Sequence, residues 1–250
     1  MNFKKYIILL LCIYSAGMVS AQLHVEPEPS VSLVECSIGL GGNVPLGDLK
    51  DRYGANLHFS LGGGYITSKN WLLNAEFMYL YGDKVKEDVL APFRTSSGTI
   101  PGDDNQIADI FLRQRGIYIG LGAGRLFPLK PESRSGIKLM ISGGLLQHQI
   151  HFVDERNSVG QIRAGRQVGY DRLTRGFSIK ETIAYKHLSN DRRLNFEFAL
   201  DFIQGFTSEV RAYNFDTGLP TIPSRTDMLI GLRIVWNFPI YFGSSQDIFY

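Results

Sequence analysis

A period of two, repeated along a chain without one spanning helix, limits this protein more than any other feature. From residue 32 to 242, about eight segments alternate apolar side chains with small or polar ones. Successive side chains of a strand point to opposite faces, so this alternation predicts strands with one greasy face each. Apart from the N-terminal run, no stretch approaches the ~20 apolar residues a membrane helix needs. A greasy-faced sheet in an exported chain must hide its backbone edges, and closure into a barrel does so within a bilayer.

Export is read from the N-terminus. Lys4 and Lys5 precede an apolar run from Tyr6 to Met18, and Val19-Ser20-Ala21 offers a small-x-small cleavage site. Residues 1–21 are therefore expected to be a signal peptide, 22–31 a periplasmic lead, 32–242 the barrel and 243–250 a tail. The competing readings are an N-terminal anchor, for which the run is short, and lipidation at Cys12, for which the preceding Leu11 is not small. The mature chain keeps only Cys36, so no internal disulfide is available, and Cys36 is expected to act as a small apolar filler. A formal net charge of +2 implies no nucleic acid or other polyanion partner. The 27 glycines and 12% aromatics suit crowded strands and interfacial girdles. Trp71, Trp236, Tyr118, Tyr185 and Tyr213 are read as girdle or lumen filler.

The strands are expected near 32–42, 55–62, 71–82, 116–127, 137–150, 175–188, 194–202 and 227–238. The connections alternate in length. Those at 67–70, 128–136 and 189–193 are short, and those at 83–115, 153–174 and 209–225 are long. Outer-membrane barrels have short periplasmic turns and long external loops. With a periplasmic N-terminus, the parity places every long loop outside, makes 43–53 the first external loop, and returns the C-terminus to the periplasm.

Sorted by face, the apolar side is almost uncharged, whereas the other collects Glu76, Lys138, Lys180, Lys186, Glu197, Asp201 and Arg233. A lysine or arginine at the lipid midplane costs about 2–4 kcal/mol, so these residues are expected in the lumen. Eight strands enclose just enough room for side chains. Four cations and three carboxylates there predict a plugged, salt-bridged interior rather than a pore. Glu181 breaks the pattern, falling on the face of Phe177, Ile179, Ile183 and Tyr185. A β-bulge returning it to the lumen, a place at headgroup level, and a protein partner covering that face are the open readings.

The run Gly41-Gly42-Asn43-Val44-Pro45-Leu46-Gly47-Asp48 is similar to the glycine-rich first hairpin of small outer-membrane barrels. The segment 232–242 resembles the aromatic final strand read by the barrel-assembly machinery. The chain resembles the OmpA-transmembrane/OmpX-like group in its Bacteroidota form over about 32–242. It departs from the group by continuing past Phe242 to Tyr250, and Pro239, which cannot donate to a ladder, is expected at the strand end. The resemblance implies a non-enzymatic outer-membrane barrel. Such a barrel acts through its external loops or as a subunit of an outer-membrane assembly, among lipid and lipopolysaccharide and without a cofactor.

Two candidate sites stand out at the loop end. His148 and His151 form an H-x-x-H beside Asp154, but residues three apart on a strand point oppositely, which suits rim residues better than a shared metal. His151, Asp154 and Ser158 share a loop, and an enzymatic rim site or a small-solute porin is the alternative function. Arg156, Arg163, Arg166, Arg172 and Arg175 offer guanidinium forks for lipopolysaccharide phosphates or an acidic partner. The opposing reading is a solvated loop with Asp154, Glu155 and Asp171 interleaved. No phosphate loop, zinc signature or nucleotide fingerprint is present.

Overall fold

A computed structural model describes residues 32–130, 133–163, 165–189, 195–221 and 224–241. The expected signal peptide, lead and tail, and most of the 189–193 turn, lie outside these residues.

The chain forms β1 (Leu33–Gly47), a single helical turn α1 (Leu49–Arg52), β2 (Asn56–Ile66), β3 (Trp71–Gly82), β4 (Phe111–Lys130), β5 (Ser133–Val153), β6 (Thr174–Leu188), β7 (Asn195–Glu209), the two-residue strands β8 (Tyr213–Asn214) and β9 (Leu219–Pro220), and β10 (Arg225–Tyr241). The eight long strands close into one antiparallel barrel in the order β1-β10-β7-β6-β5-β4-β3-β2. The seam is continuous from Leu33 opposite Tyr241 to Gly47 opposite Asp227. Closure leaves neither β1 nor β10 with an open edge. β8 and β9 form a separate small hairpin inside the loop before β10.

The barrel is of the transmembrane type, an eight-stranded up-and-down cylinder with apolar side chains outward and ionic ones inward. On β1, Ile38, Leu40, Val44 and Leu46 face out, while Glu35 and Asn43 face in. β3 repeats the rule with Trp71, Leu73, Tyr79 and Tyr81 outward against Leu72, Glu76, Met78 and Leu80. Cys36 is a free thiol on the outward face. Trp71 and Tyr81 are separated by about the 9–11 residues a tilted strand needs to cross a bilayer. Tyr79 stacks with Tyr81 at one end of that interval. At the other end Arg125 lies over the rings of Trp71 and Phe127, each centroid 5.5 Å away.

The tight turn before β3 depends on Asn70, whose φ of 62° is the left-handed conformation asparagine tolerates. The Thr67 amide donates to the Trp71 carbonyl and the Asn70 amide to the Thr67 carbonyl, at 2.9 Å each.

Several strands run further than the alternation alone predicts. β1 continues to Gly47, so residues 43–47 are wall rather than loop. β7 continues to Glu209. β4 begins at Phe111 and β5 ends at Val153, which shortens the two flanking loops. At 20 and 21 residues, β4 and β5 are longer than a bilayer crossing needs, and their upper ends stand beyond it. The polar residues there, Arg113, Arg115 and His151, resemble loop composition but belong to the ladder.

Candidate functional site

The lumen is built in layers. At the short-turn end Leu33, Ile66, Leu72, Leu126 and Leu188 form a buried apolar cluster. Above it lie the ions. Lys186 Nζ is 2.8 Å from Glu35 Oε2 and 3.5 Å from Glu197 Oε2, and Lys138 Nζ is 2.5 Å from Glu197 Oε1. Next, Glu76 accepts from both Lys180 and Arg233. Arg233 Nε lies 2.9 Å from Asp201 Oδ2, and the Thr182 hydroxyl donates to Asp201 Oδ1 at 2.6 Å. The Lys180 ammonium also lies over the Tyr118 ring at 5.3 Å.

The alternation places all seven expected lumen residues here, and all are buried. It missed the eighth member, Glu35, which follows from the same rule: Leu33, Glu35, Ser37 and Gly39 take one face of β1. With Glu35 the layer holds four cations and four carboxylates. Pairing is compulsory at this depth, because an unpaired buried ion costs several kcal/mol. A cavity of about 20 Å³ remains between Glu35, Glu76, Lys138 and Arg233, room for about one water.

A neutral polar band follows. Asn43 Nδ2 donates to Asn56 Oδ1 at 2.8 Å and meets His58 Nδ1 at 2.9 Å, and Asn56 Nδ2 donates to Gln114 Oε1 at 3.1 Å. Met78, Leu80, Tyr118, Leu146, Ile203 and Leu229 belong to a second apolar cluster that continues upward through Leu49 and Tyr53 into the loops. His148 is in this region and not at the rim. Its Nε2 lies 2.8 Å from Asp227 Oδ2, which also accepts from the Thr207 hydroxyl at 2.5 Å, while Asp227 Oδ1 faces Arg225 at 3.3 Å. Even position along β5 turns His148 inward, where its buried ring needs a hydrogen-bond partner, and Asp227 supplies one.

The long loops are tied into a crown above the barrel. Arg52 on α1 sets Nε 2.7 Å from Glu87 Oε2 and Nη2 2.5 Å from Glu209 Oε1, and donates to Thr174 Oγ1 at 2.9 Å. Arg172 places Nε 2.5 Å from the other Glu87 oxygen and grips Asp216 through Nη1 and Nη2 at 2.8 and 2.6 Å. Arg211 holds Asp171 by a second fork, at 3.1 and 2.6 Å. Glu87 thus joins two guanidiniums from different parts of the chain. Partial burial would raise its carboxyl pKa, but the charges of Arg52 and Arg172 outweigh that and hold it below the usual carboxylate range. Both arginines are held firmly in the charged form despite burial.

The loop arginines divide. Arg172 was expected as an external contact, but its side chain is 3% exposed and points down into the crown. Arg163 lies 3.1 Å from Asp103, and Arg156 donates to Gln106 Oε1 at 2.6 Å with Asp104 at 3.8 Å, so both link loops while remaining accessible. Arg166 is exposed. Arg175 lies outside the loops altogether, on the outward face of β6, with Nε 2.8 Å from Gln147 Oε1.

His151, Asp154 and Ser158 do not assemble into one constellation. The Ser158 hydroxyl donates to Asp154 Oδ1 at 3.0 Å and the Val159 amide to Oδ2 at 3.1 Å, which closes a local turn. His151 sits on the outward face of β5 opposite Arg113. Among the described residues no group of three or more His, Cys, Asp or Glu is arranged to hold a metal.

Glu181 faces outward at the middle of β6. Its neighbours across the ladder are Ile141 and Phe202, and the register of β6 with β5 and β7 is unbroken. No bulge turns it inward, and its central place rules out a headgroup-level position.

No family model and no curated protein matches the chain. Among solved structures it is similar to Neisserial surface protein A, at 7% identity over 81% of this chain and 96% of that one, with a TM-score of 0.43. Ail, the attachment invasion locus protein of Yersinia pestis, gives 12% identity, 84% and 99% coverage and a TM-score of 0.42. The outer membrane protein OprG from Pseudomonas aeruginosa gives 10%, 86% and 99%, and 0.36. These neighbours are small outer-membrane barrels, and none bears on the Bacteroidota form. Scores under 0.5 carry nothing further to this chain, whose closure rests on its own strand register.

Proposed function

We propose that the protein is an integral outer-membrane barrel with a closed lumen, which serves as a rigid platform for interactions of its external loop crown. The observation that carries this reading is the ionic layer that spans the lumen from wall to wall between two apolar clusters. A solute would have to break several buried ion pairs to pass, and each break would leave an uncompensated charge. The outward apolar wall supports placement in lipid, and the long loops support an external crown. β1 begins and β10 ends at the short-turn end, which supports a periplasmic location for both ends of the barrel. The crown is cross-linked by Arg52, Arg172 and Arg211, an arrangement suited to displaying a fixed surface to a protein partner or as part of an outer-membrane assembly. No catalytic step is assigned to it. The final strand is expected to engage the barrel-assembly machinery during insertion.

Reconstitution in planar bilayers tests the closed lumen. The folded protein is expected to give no stable single-channel steps. A steady ohmic conductance from every inserted molecule would replace this reading with a porin.

A further inference from the structure

The upper ends of β4, β5 and β6 carry a basic belt on the outside of the wall. Arg113 and Arg115 face outward from β4, Gln147, Gln149 and His151 from β5, and Arg175 from β6. The ladder makes them neighbours: Arg113 opposes His151, Arg115 opposes Gln149, and Gln147 opposes Arg175. Their height follows from spacing. On β4, the interval from Phe127 in the lower girdle to Ile117 is about the 9–11 residues of one bilayer crossing, and Arg115 and Arg113 come next. On β6, Arg175 stands at a similar interval from Tyr185. The belt therefore lies where the headgroups of the outer leaflet begin.

Two features separate it from general interfacial anchoring. It is one-sided, because toward the same end β1, β2 and β10 present Val44, Leu46, Leu57, Met228 and Ile230. It is also uncompensated. Among the described residues no carboxylate lies within ion-pair distance of Arg113, Arg115 or Arg175. Asp83, Glu87 and Asp88 line a groove with Arg113 but make no such pair with it, and Glu87 and Asp88 are engaged by Arg52, Arg172 and Arg94 instead. Arg115 donates to the Gln114 carbonyl at 2.9 Å and Arg175 to Gln147, contacts that fix the side chains and leave their charge unmatched. Directly below, Ile119, Leu145 and Phe177 are exposed, and Gly143 leaves a shallow slot against the Phe177 ring.

We propose that this face binds a phosphorylated, multiply acylated amphiphile of the lipopolysaccharide type, its phosphates on the three guanidiniums and its acyl chains on the wall beneath. Guanidinium forks match phosphate geometry, and the apolar wall recognises what a soluble phosphate lacks. The inference rests on the membrane placement proposed above.

The test uses the full mature chain in phosphatidylcholine nanodiscs, with bisphosphorylated lipid A, dephosphorylated lipid A and inorganic phosphate as probes. Heat-modifiable gel migration and detergent dependence report membrane folding separately. Wild type is expected to bind bisphosphorylated lipid A at least about tenfold more tightly than the dephosphorylated form. R113Q/R115Q/R175Q should abolish that preference while R156Q/R163Q keeps it, with both variants folded. Should the triple variant fold poorly, each single R→Q substitution is expected to reduce the preference in part. Unchanged preference in the folded variants, equal binding of both lipids, or full competition by millimolar inorganic phosphate would overturn the proposal. A wild type that is compact and monomeric without detergent would overturn the membrane placement itself.

Discussion

Arg172 and Asp216 form a two-pronged ion pair, with Nη1 and Nη2 at 2.8 and 2.6 Å from the two carboxylate oxygens. The pair joins the loop before β6 to the loop before β10, and Arg172 holds a positive φ of 50° while making it. Its Nε simultaneously holds Glu87 from the loop before β4. One guanidinium therefore ties three loops together. R172A should free all three by about 1.5–3 kcal/mol of local stability, the usual worth of charged hydrogen bonds. Hydrogen exchange should quicken in peptides covering 83–95 and 210–221, while the barrel strands stay protected. R156A removes a contact at the surface and should leave both peptides unchanged.

Glu76 is the shared acceptor of Lys180 and Arg233. E76A would leave two cations in the lumen with Asp201 as their remaining near partner. Breaking a buried pair from one side costs about 3–5 kcal/mol, so urea unfolding in detergent micelles should show a loss of that order. A K180M/E76L double variant removes the charges more evenly and should recover part of it. A single variant as stable as wild type would mean that the lumen admits enough water to solvate these ions.

The barrel was legible in the sequence because lipid enforces a strict rule on one face of each strand. The ion layer was legible for the same reason: Lys138, Lys180, Lys186 and Arg233 have nowhere else to go. The rule failed where the lipid ends. Arg113, Arg115 and His151 look like loop residues only if a polar outward side chain must mean a loop, whereas beyond the acyl region the same strand tolerates them. His148 was misplaced by association with His151, although three positions on a strand send them to opposite faces. The crown pairs, such as Arg52 with Glu209 and Arg172 with Asp216, join segments far apart in the chain and carry no local signal. Glu35 was legible but overlooked, since β1 is glycine-rich and its alternation is faint.

Acid should loosen the crown before the barrel. The Glu87 carboxyl is held below its ordinary value of 4.5 in the folded chain. A depressed pKa means that its stabilisation is complete above the ordinary value and is lost as pH falls through the lower, folded one. Hydrogen exchange in 83–95, corrected for its intrinsic pH dependence, should be flat from neutral pH to about 5 and rise below about 4. E87Q should show raised exchange at neutral pH and a shallower acid response. An identical acid response in E87Q would assign the transition to another carboxylate.

Glu181 is the exception on the outward wall. It stands at the centre of β6 between Ile179 and Ile183, opposite Ile141 and Phe202, where hydrocarbon surrounds an isolated barrel. A charged group at that depth is destabilising, and a carboxyl less so than the about 2–4 kcal/mol of an arginine or lysine. E181L in phosphatidylcholine vesicles should therefore raise the unfolding free energy by roughly 1–2 kcal/mol, and E181Q by less. In detergent micelles, which let water reach the wall more easily, the gain should shrink. If E181L instead lowers stability in vesicles, the carboxyl is engaged in the folded state, and contact with a second copy of the chain across this face becomes the better account of the residue.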